Sequence, residues 1–103
     1  MTFETLFQEI KNYLLQLDVS GVKQHFAAEC QVKGNAGGVF YVEIKEGNMQ
    51  VEPYNYYDKD VLITASDSVC AEICKGELNP KNAYAVGLLQ VDGNINKFFE
   101  KCC

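Results

Sequence analysis

The spacing of the apolar residues changes once, near residue 20, and this change most limits the folds open to the chain. Before it, apolar residues recur every three or four positions, the pattern of a helix with one buried face. After it, apolar and polar residues alternate, the pattern of strands with one buried face. We therefore predict a helix from Phe3 to Leu17, followed by strands over residues 26–33, 40–45 and 49–52.

Short turns separate these three strands, so we expect them to form an antiparallel meander. A fourth alternating segment covers residues 61–65 and a fifth covers residues 88–92. Two short helices are predicted between them, one capped by Ser66 or Asp67 and one that opens at Pro80, where the missing amide donor costs nothing. About twenty residues join the two strands, which is enough for a crossover between parallel neighbours, and we expect parallel pairing there.

The elements together predict an α/β fold of the α+β type, a two-layer sandwich with a five-stranded mixed sheet. Strands 1–3 form the meander, the helical crossover joins strands 4 and 5, and the helices cover one face. A length of 103 residues fits one domain over residues 1–103. The internal side is expected to be rich in aromatic residues, namely Phe3, Phe7, Phe26, Phe40, Phe98 and Phe99.

Charge and composition exclude several function classes. The net charge is −5 and all nine basic residues are lysine, so an acidic chain without guanidinium groups is not expected to bind nucleic acid. The N-terminus lacks a basic region followed by an apolar one, and no apolar run approaches the roughly 18 residues of a membrane span. We expect a soluble cytoplasmic protein.

No residue cluster in the sequence predicts catalysis or a metal site. His25, the single histidine, falls on the polar side of the first predicted strand and faces solvent. Glu43 and Glu52 could be a cross-strand carboxylate pair, but lysines share their face, so a solvated row of charges is favoured. The glycines of 34–38 join two strands and so do not form a phosphate loop before a helix. We expect no catalytic residue, no metal and no cofactor.

The five cysteines leave one alternative open. Cys30, Cys70 and Cys74 fall on apolar faces, where a free thiol packs as a small hydrophobic group. Cys102 and Cys103 close the chain, where a thiol pair could serve as a redox handle, a soft-metal ligand or a lipidation site. A thiol-dependent redox or metal-binding protein is therefore one alternative function. A protein-interaction module, as a homodimer through the sheet face around Tyr41, is another, and monomer and homodimer both stay open.

The segment from Gly76 to Asn94 carries the most specific motif. It begins Gly-Glu-Leu-Asn-Pro, continues through Ala83, Tyr84 and Gly87, and ends in a strand that closes with Gly-Asn. This segment resembles the signature of the sterol-carrier-protein family of nonspecific lipid-transfer domains, and every position of that signature is matched. The hairpin around residues 37–47 and the strand at 60–64 are also similar to that family, so the resemblance covers most of the chain.

The resemblance implies binding and transfer of a hydrophobic ligand, a fatty acid, acyl lipid or sterol-like molecule, without catalysis. It implies an apolar tunnel between the helices and the sheet and allows transient membrane contact. The expected lining residues are Leu14, Phe26, Phe40, Val42, Tyr84, Leu89, Phe98 and Phe99. Tyr54, Tyr56 and Tyr57 are predicted either to pack at an edge or to form an interfacial belt at the tunnel mouth.

Overall fold

A computed structural model describes residues 2–94 and residue 96, and it confirms the predicted fold class. The described strands form one five-stranded mixed sheet in the order β3-β2-β1-β4-β5. The strand bounds are β1 Phe26–Lys33, β2 Gly38–Lys45, β3 Asn48–Glu52, β4 Val61–Ser66 and β5 Leu89–Gly93. The predicted Phe98, Phe99, Cys102 and Cys103 lie outside the described residues.

Local sequence explains where each helix begins. Helix α1 spans Phe3–Leu15, and the Thr5 amide donates a hydrogen bond to the Thr2 hydroxyl at its N-terminus. Helix α2 spans Asp67–Cys74, and the Val69 amide donates to the Ser66 hydroxyl, so Ser66 is the cap. Helix α3 spans Pro80–Ala85, and the Asn79 side chain accepts hydrogen bonds from the amides of residues 81 and 82. As predicted, Pro80 occupies the first turn of α3.

The prediction that strands 4 and 5 are parallel is wrong, because β4 and β5 pair antiparallel. The parallel neighbours are β1 and β4, with Ala28 opposite Val61. Strand β2 already occupies one edge of β1, so the open edge receives β4 after residues 53–60 have crossed back from β3. Helices α2 and α3 then reverse the chain into β5. The length of the segment between β4 and β5 is compatible with either parallel or antiparallel pairing of these strands.

The inner face of the sheet carries the apolar residues that the alternation predicted, and helices α1, α2 and α3 supply further apolar residues on that side. Two buried clusters result. One groups residues of α1, β2 and β3 with neighbours from β1 and the following turn, namely Leu6, Phe7, Ile10, Val32, Ala36, Phe40, Val42 and Val51. The other groups residues of β1, β4, β5, α2 and α3 with one from β2, namely Phe26, Ala28, Ile44, Val61, Ala65, Val69, Ala83, Leu89 and Val91.

A segment of the chain covers part of the outer face, which was predicted to face solvent. Residues 53–60, here called the strap, run from the end of β3 to the start of β4 across that face. The Asp60 amide donates to the Ala27 carbonyl over 2.7 Å, and the Ala27 amide donates to Asp60 Oδ2 over 2.8 Å. As a result, Ala27 is 0% exposed although its side chain points away from the helices.

The strap also organises the charges beneath it, so the prediction of a solvated row of charges is wrong for Glu43. The Tyr56 hydroxyl donates to Glu43 Oε2 over 2.6 Å, and His25 Nε2 lies 2.8 Å from the same oxygen. Both bonds hold the pKa of Glu43 below its ordinary value, and the bond from Tyr56 has the larger effect. The same bond raises the pKa of Tyr56 to about 12. Glu52 lies opposite Tyr41 and is only diagonal to Glu43.

Glu29 is the one buried charged residue in the described part of the chain, and it is also paired. Burial opposes its ionisation, but the Tyr56 amide donates to it over 3.0 Å and Lys59 Nζ lies 3.5 Å away. A further hydrogen bond from Gln31 completes the set, and the net effect lowers the pKa of Glu29. On the outer face, the carboxylates of Glu29 and Glu43 are therefore both paired with hydrogen-bond donors from the strap or from neighbouring side chains.

Candidate functional site

A cavity of about 510 Å³ separates the helices from the inner face of the sheet. Its volume falls within the roughly 300–1,000 Å³ of small-molecule sites. All three described helices, the connection after α1 and all five strands contribute to its wall. The lining residues are Ile10, Tyr13, Leu14, Leu17, Asp18, Val19, Val22, Phe26, Ala28, Cys30, Gln31, Val32, Phe40, Val42, Ile44, Met49, Ile63, Ala65, Cys70, Ile73, Cys74, Pro80 and Leu89.

The structure brings five of the eight predicted site residues together around this cavity. Leu14 reaches it from α1, and the others reach it from the sheet, namely Phe26, Phe40, Val42 and Leu89. Tyr84 packs against the cluster that contains Phe26 and Leu89 without lining the cavity. Phe98 and Phe99 lie outside the described residues. Whether any of these residues binds a ligand stays a prediction.

Several lining residues were missed by the sequence analysis, for two different reasons. Ile63 and Met49 occupy inner positions of predicted strands, so the alternation marked them as buried without distinguishing cavity wall from filled core. Val19 and Val22 belong to the connection after α1, where the apolar pattern breaks and carries no periodic signal. Only the folded path of that connection places them at the wall.

The described wall has few polar groups, and the carboxylate of Asp18 is the one charged side chain among them. Asp18 Oδ1 accepts hydrogen bonds from the Ser20 amide over 3.0 Å and the Ser20 hydroxyl over 2.7 Å. The hydroxyl bond and then the amide bond lower the pKa of Asp18, so this group is ionised at neutral pH. Its side chain is exposed, and we therefore place Asp18 at an opening of the cavity.

Three cysteines, predicted to be core, line the cavity and are partly buried: Cys30, Cys70 and Cys74. Burial raises the pKa of Cys70 to about 11 and that of Cys74 to about 11, so both thiols are protonated at neutral pH. Within residues 2–94 and 96, no three His, Cys, Asp or Glu side chains are placed to hold a metal ion. The thiol-based alternative therefore gains no support from this region.

A second, smaller groove adjoins the cavity between α1 and α2. Tyr13 and Cys74 belong to both walls. The groove carries one positive and one negative side chain, Lys75 and Glu9, together with Asn12 and Gln16. It is therefore polar, in contrast to the larger cavity.

The tyrosines predicted either for an edge or for a tunnel mouth belong to the strap on the opposite face of the sheet from the cavity. The rings of Tyr41 and Tyr56 pack with centroids 5.0 Å apart, and Tyr57 is 97% exposed. Tyr56 therefore packs over the outer face on β2 and the central strand β1, so neither the edge prediction nor the belt prediction holds for it. The sheet face around Tyr41, which was considered for a homodimer, is partly covered by Tyr56.

The inner cavity and five-stranded topology agree with the sequence comparison. The sequence model of the SCP-2 sterol transfer family matches residues 3–99. The chain belongs to that family. The motif from Gly76 to Asn94 thus identified the family correctly. None of the helices in the described region is both long and apolar enough to cross a membrane.

Individual relatives of the family are distant from this chain. Bovine sterol carrier protein 2 is 32% identical over 68 residues, which cover 63% of this chain and 12% of that protein. This family member therefore spans only a small part of the length of its curated relative. The solution structure of the palmitated sterol carrier protein 2 like 2 from Aedes aegypti matches with a TM-score of 0.72 and 20% identity, covering 97% of this chain and 90% of that one.

The family fold also occurs within a larger enzyme. The sec-alkylsulfatase Pisa1 from a Pseudomonas species matches with a TM-score of 0.60 and 13% identity. The match covers 91% of this chain and 13% of the alkylsulfatase. At such low identity the likeness concerns the fold alone.

Proposed function

We propose that this chain binds one hydrophobic lipid in the cavity between helices and sheet and transfers it between membranes, without catalysing a reaction. The observation that carries the proposal is the 510 Å³ cavity, whose wall is mostly apolar. Family membership supports lipid or sterol binding, and the palmitated Aedes aegypti relative provides a lipid-loaded example of the fold. Cytoplasmic location and transient membrane contact are part of the proposal.

The energetics favour an occupied cavity over an empty one. At about 24 cal/mol per Å³, an empty apolar space of 510 Å³ would cost about 12 kcal/mol. This is comparable with the whole stability of a domain of this size, roughly 5–15 kcal/mol. We therefore expect the protein either to carry a lipid when purified or to contract around its apolar side chains when lipid is removed.

Exchange with a bilayer costs little, which suits a carrier. Moving an acyl chain from water into an apolar site gains about 0.8 kcal/mol for each methylene group. Moving the same chain from a bilayer gains almost nothing, because hydrocarbon surrounds it in both places. A lipid held in the cavity is thus protected from water and can still return to a membrane.

No chemical step is assigned to the cavity. Its described acid and base groups are Asp18, Tyr13 and cysteine thiols, and burial keeps the thiols of Cys70 and Cys74 protonated. The His25 and Glu43 pair lies on the outer face, beyond the sheet from the cavity.

A tryptophan reporter tests the proposal directly, because the sequence contains no tryptophan. Leu14→Trp places the indole on the cavity wall, and Leu88→Trp, a matched control, places it at a position that is 47% exposed and outside the wall. Adding palmitate or hexadecan-1-ol to lipid-free protein should change the emission of Leu14→Trp and leave Leu88→Trp unaltered. Solvent extraction with mass spectrometry should recover lipid from the purified chain. A Leu14→Trp emission that neither lipid changes would overturn the proposal.

A further inference from the structure

The charges around the cavity distinguish between lipid head groups. Of the described residues that line the cavity, none is lysine, arginine or histidine, and Asp18 is the charged one. An anionic head group entering here therefore meets the negative charge of Asp18, and no described residue of the wall offers a cation to pair with it. The adjoining groove offers no net attraction either, since Lys75 is accompanied there by Glu9.

The hydrogen bonds of Asp18 leave an acceptor available at this opening. Both bonds from Ser20 go to Oδ1, and Oδ2 accepts none from the described residues. An ionised carboxylate only accepts hydrogen bonds, so it can receive one from a hydroxyl group and repels a second carboxylate. The Ser20 bonds fix the position of the carboxylate, which reduces the freedom it would lose on meeting a ligand.

The geometry points to a lipid with an uncharged hydroxyl head group as the preferred ligand of this cavity, with Asp18 as the residue that weakens the binding of carboxylate lipids. This inference rests on the proposed function, because it concerns the same cavity. Specificity of this kind arises from an unpaired charge that penalises the wrong ligand as much as from a bond to the right one. The apolar wall contributes equally to two lipids of the same chain length, so the head group decides between them.

The test compares hexadecan-1-ol with palmitate at pH 8, where palmitate and Asp18 are both ionised, with Leu14→Trp fluorescence as the readout. We expect the dissociation constant of palmitate to be at least tenfold larger than that of hexadecan-1-ol. Asp18→Asn should reduce this ratio at least threefold. Asp92→Asn makes the same change in net charge on the outer face of the sheet, where Asp92 lies opposite Leu62, and should leave the ratio unaltered.

Salt provides a second readout, because screening weakens interactions between exposed charges. The ratio should fall as the salt concentration rises from 10 mM to 500 mM in the parent reporter, and it should stay nearly constant after Asp18→Asn. Equal binding of the two lipids, or a ratio that Asp18→Asn does not change, would overturn the inference and leave the proposed function standing. Failure of both lipids to alter Leu14→Trp emission would overturn the two together.

Discussion

Adding volume at Ala28 tests whether the space between the two layers is real. Ala28 is 3% exposed, lies at the centre of the inner face between Val42 and Val61, and lines the cavity. Ala28→Leu adds three carbon atoms there, which gain about 2.4 kcal/mol at about 0.8 kcal/mol for each. Fixing the leucine side chain costs roughly 0.5–1 kcal/mol. We expect the free energy of unfolding of lipid-free protein to rise by about 1–2 kcal/mol.

The adjacent residue provides a matched control on the opposite face. Ala27 is fully buried beneath the strap and does not line the cavity, so Ala27→Leu should lower the free energy of unfolding by about 1–3 kcal/mol through overpacking. Both variants make the same substitution in the same strand, so intrinsic strand preference cancels in the comparison.

Urea unfolding of delipidated protein measures these changes through the midpoint at constant slope. A thermal scan should show a rise of about 4–8 °C for each kcal/mol gained in a domain of this size. Ala28→Leu should also weaken binding of hexadecan-1-ol, since it occupies part of the ligand's space. A loss of stability in Ala28→Leu equal to that in Ala27→Leu would refute the existence of a cavity.

Three further perturbations have definite outcomes. The pKa of Glu43 is lowered in the folded protein, so the stability that its ionisation contributes is present above pH 4.5 and is lost as the pH falls through the folded pKa. The urea midpoint of Glu43→Gln should therefore depend less on pH in that range than the midpoint of the parent protein. Cys70 and Cys74, with pKa values raised to about 11, should react with iodoacetamide at pH 8 far more slowly in folded than in urea-unfolded protein, by mass spectrometry. Gly34→Ala should destabilise more than Gly76→Ala in thermal scans: both glycines have positive φ, but only at Gly34 would the new methyl group lie 2.7 Å from another residue's side chain.

The sequence correctly predicted those features of the fold that depend only on residues close together in the chain. Alternation identified the inner face of each strand, and Ser66 and Pro80 marked helix starts by a hydrogen bond or a fixed φ. The sequence predicted the wrong direction for β5 relative to β4 and did not predict that β4 pairs with β1, because the neighbour of a strand depends on which sheet edge is still open when the chain returns to it. No pattern within residues 53–66 records that.

The candidate site was only partly predictable for the same reason. A residue on an apolar strand face, such as Phe40 or Ile63, looks the same in sequence whether it meets another side chain or open space. Asp18 could not be predicted as a site residue, because only the folded path of residues 16–25 places it at the cavity opening. The cover over Ala27 likewise depends on a long connection, whose conformation is set by bonds to strands far away in sequence.

The division of the buried side chains into two clusters has a mechanical consequence. Residues anchored by Leu6 and Phe7 belong to one packed unit, and those around Val61 and Val69 belong to the other. Met49 and Cys70 pack against both units, so the two units meet at a few partly buried side chains, and guests of different girth need only displace these. A solid interior would have to break its packing to admit any of them.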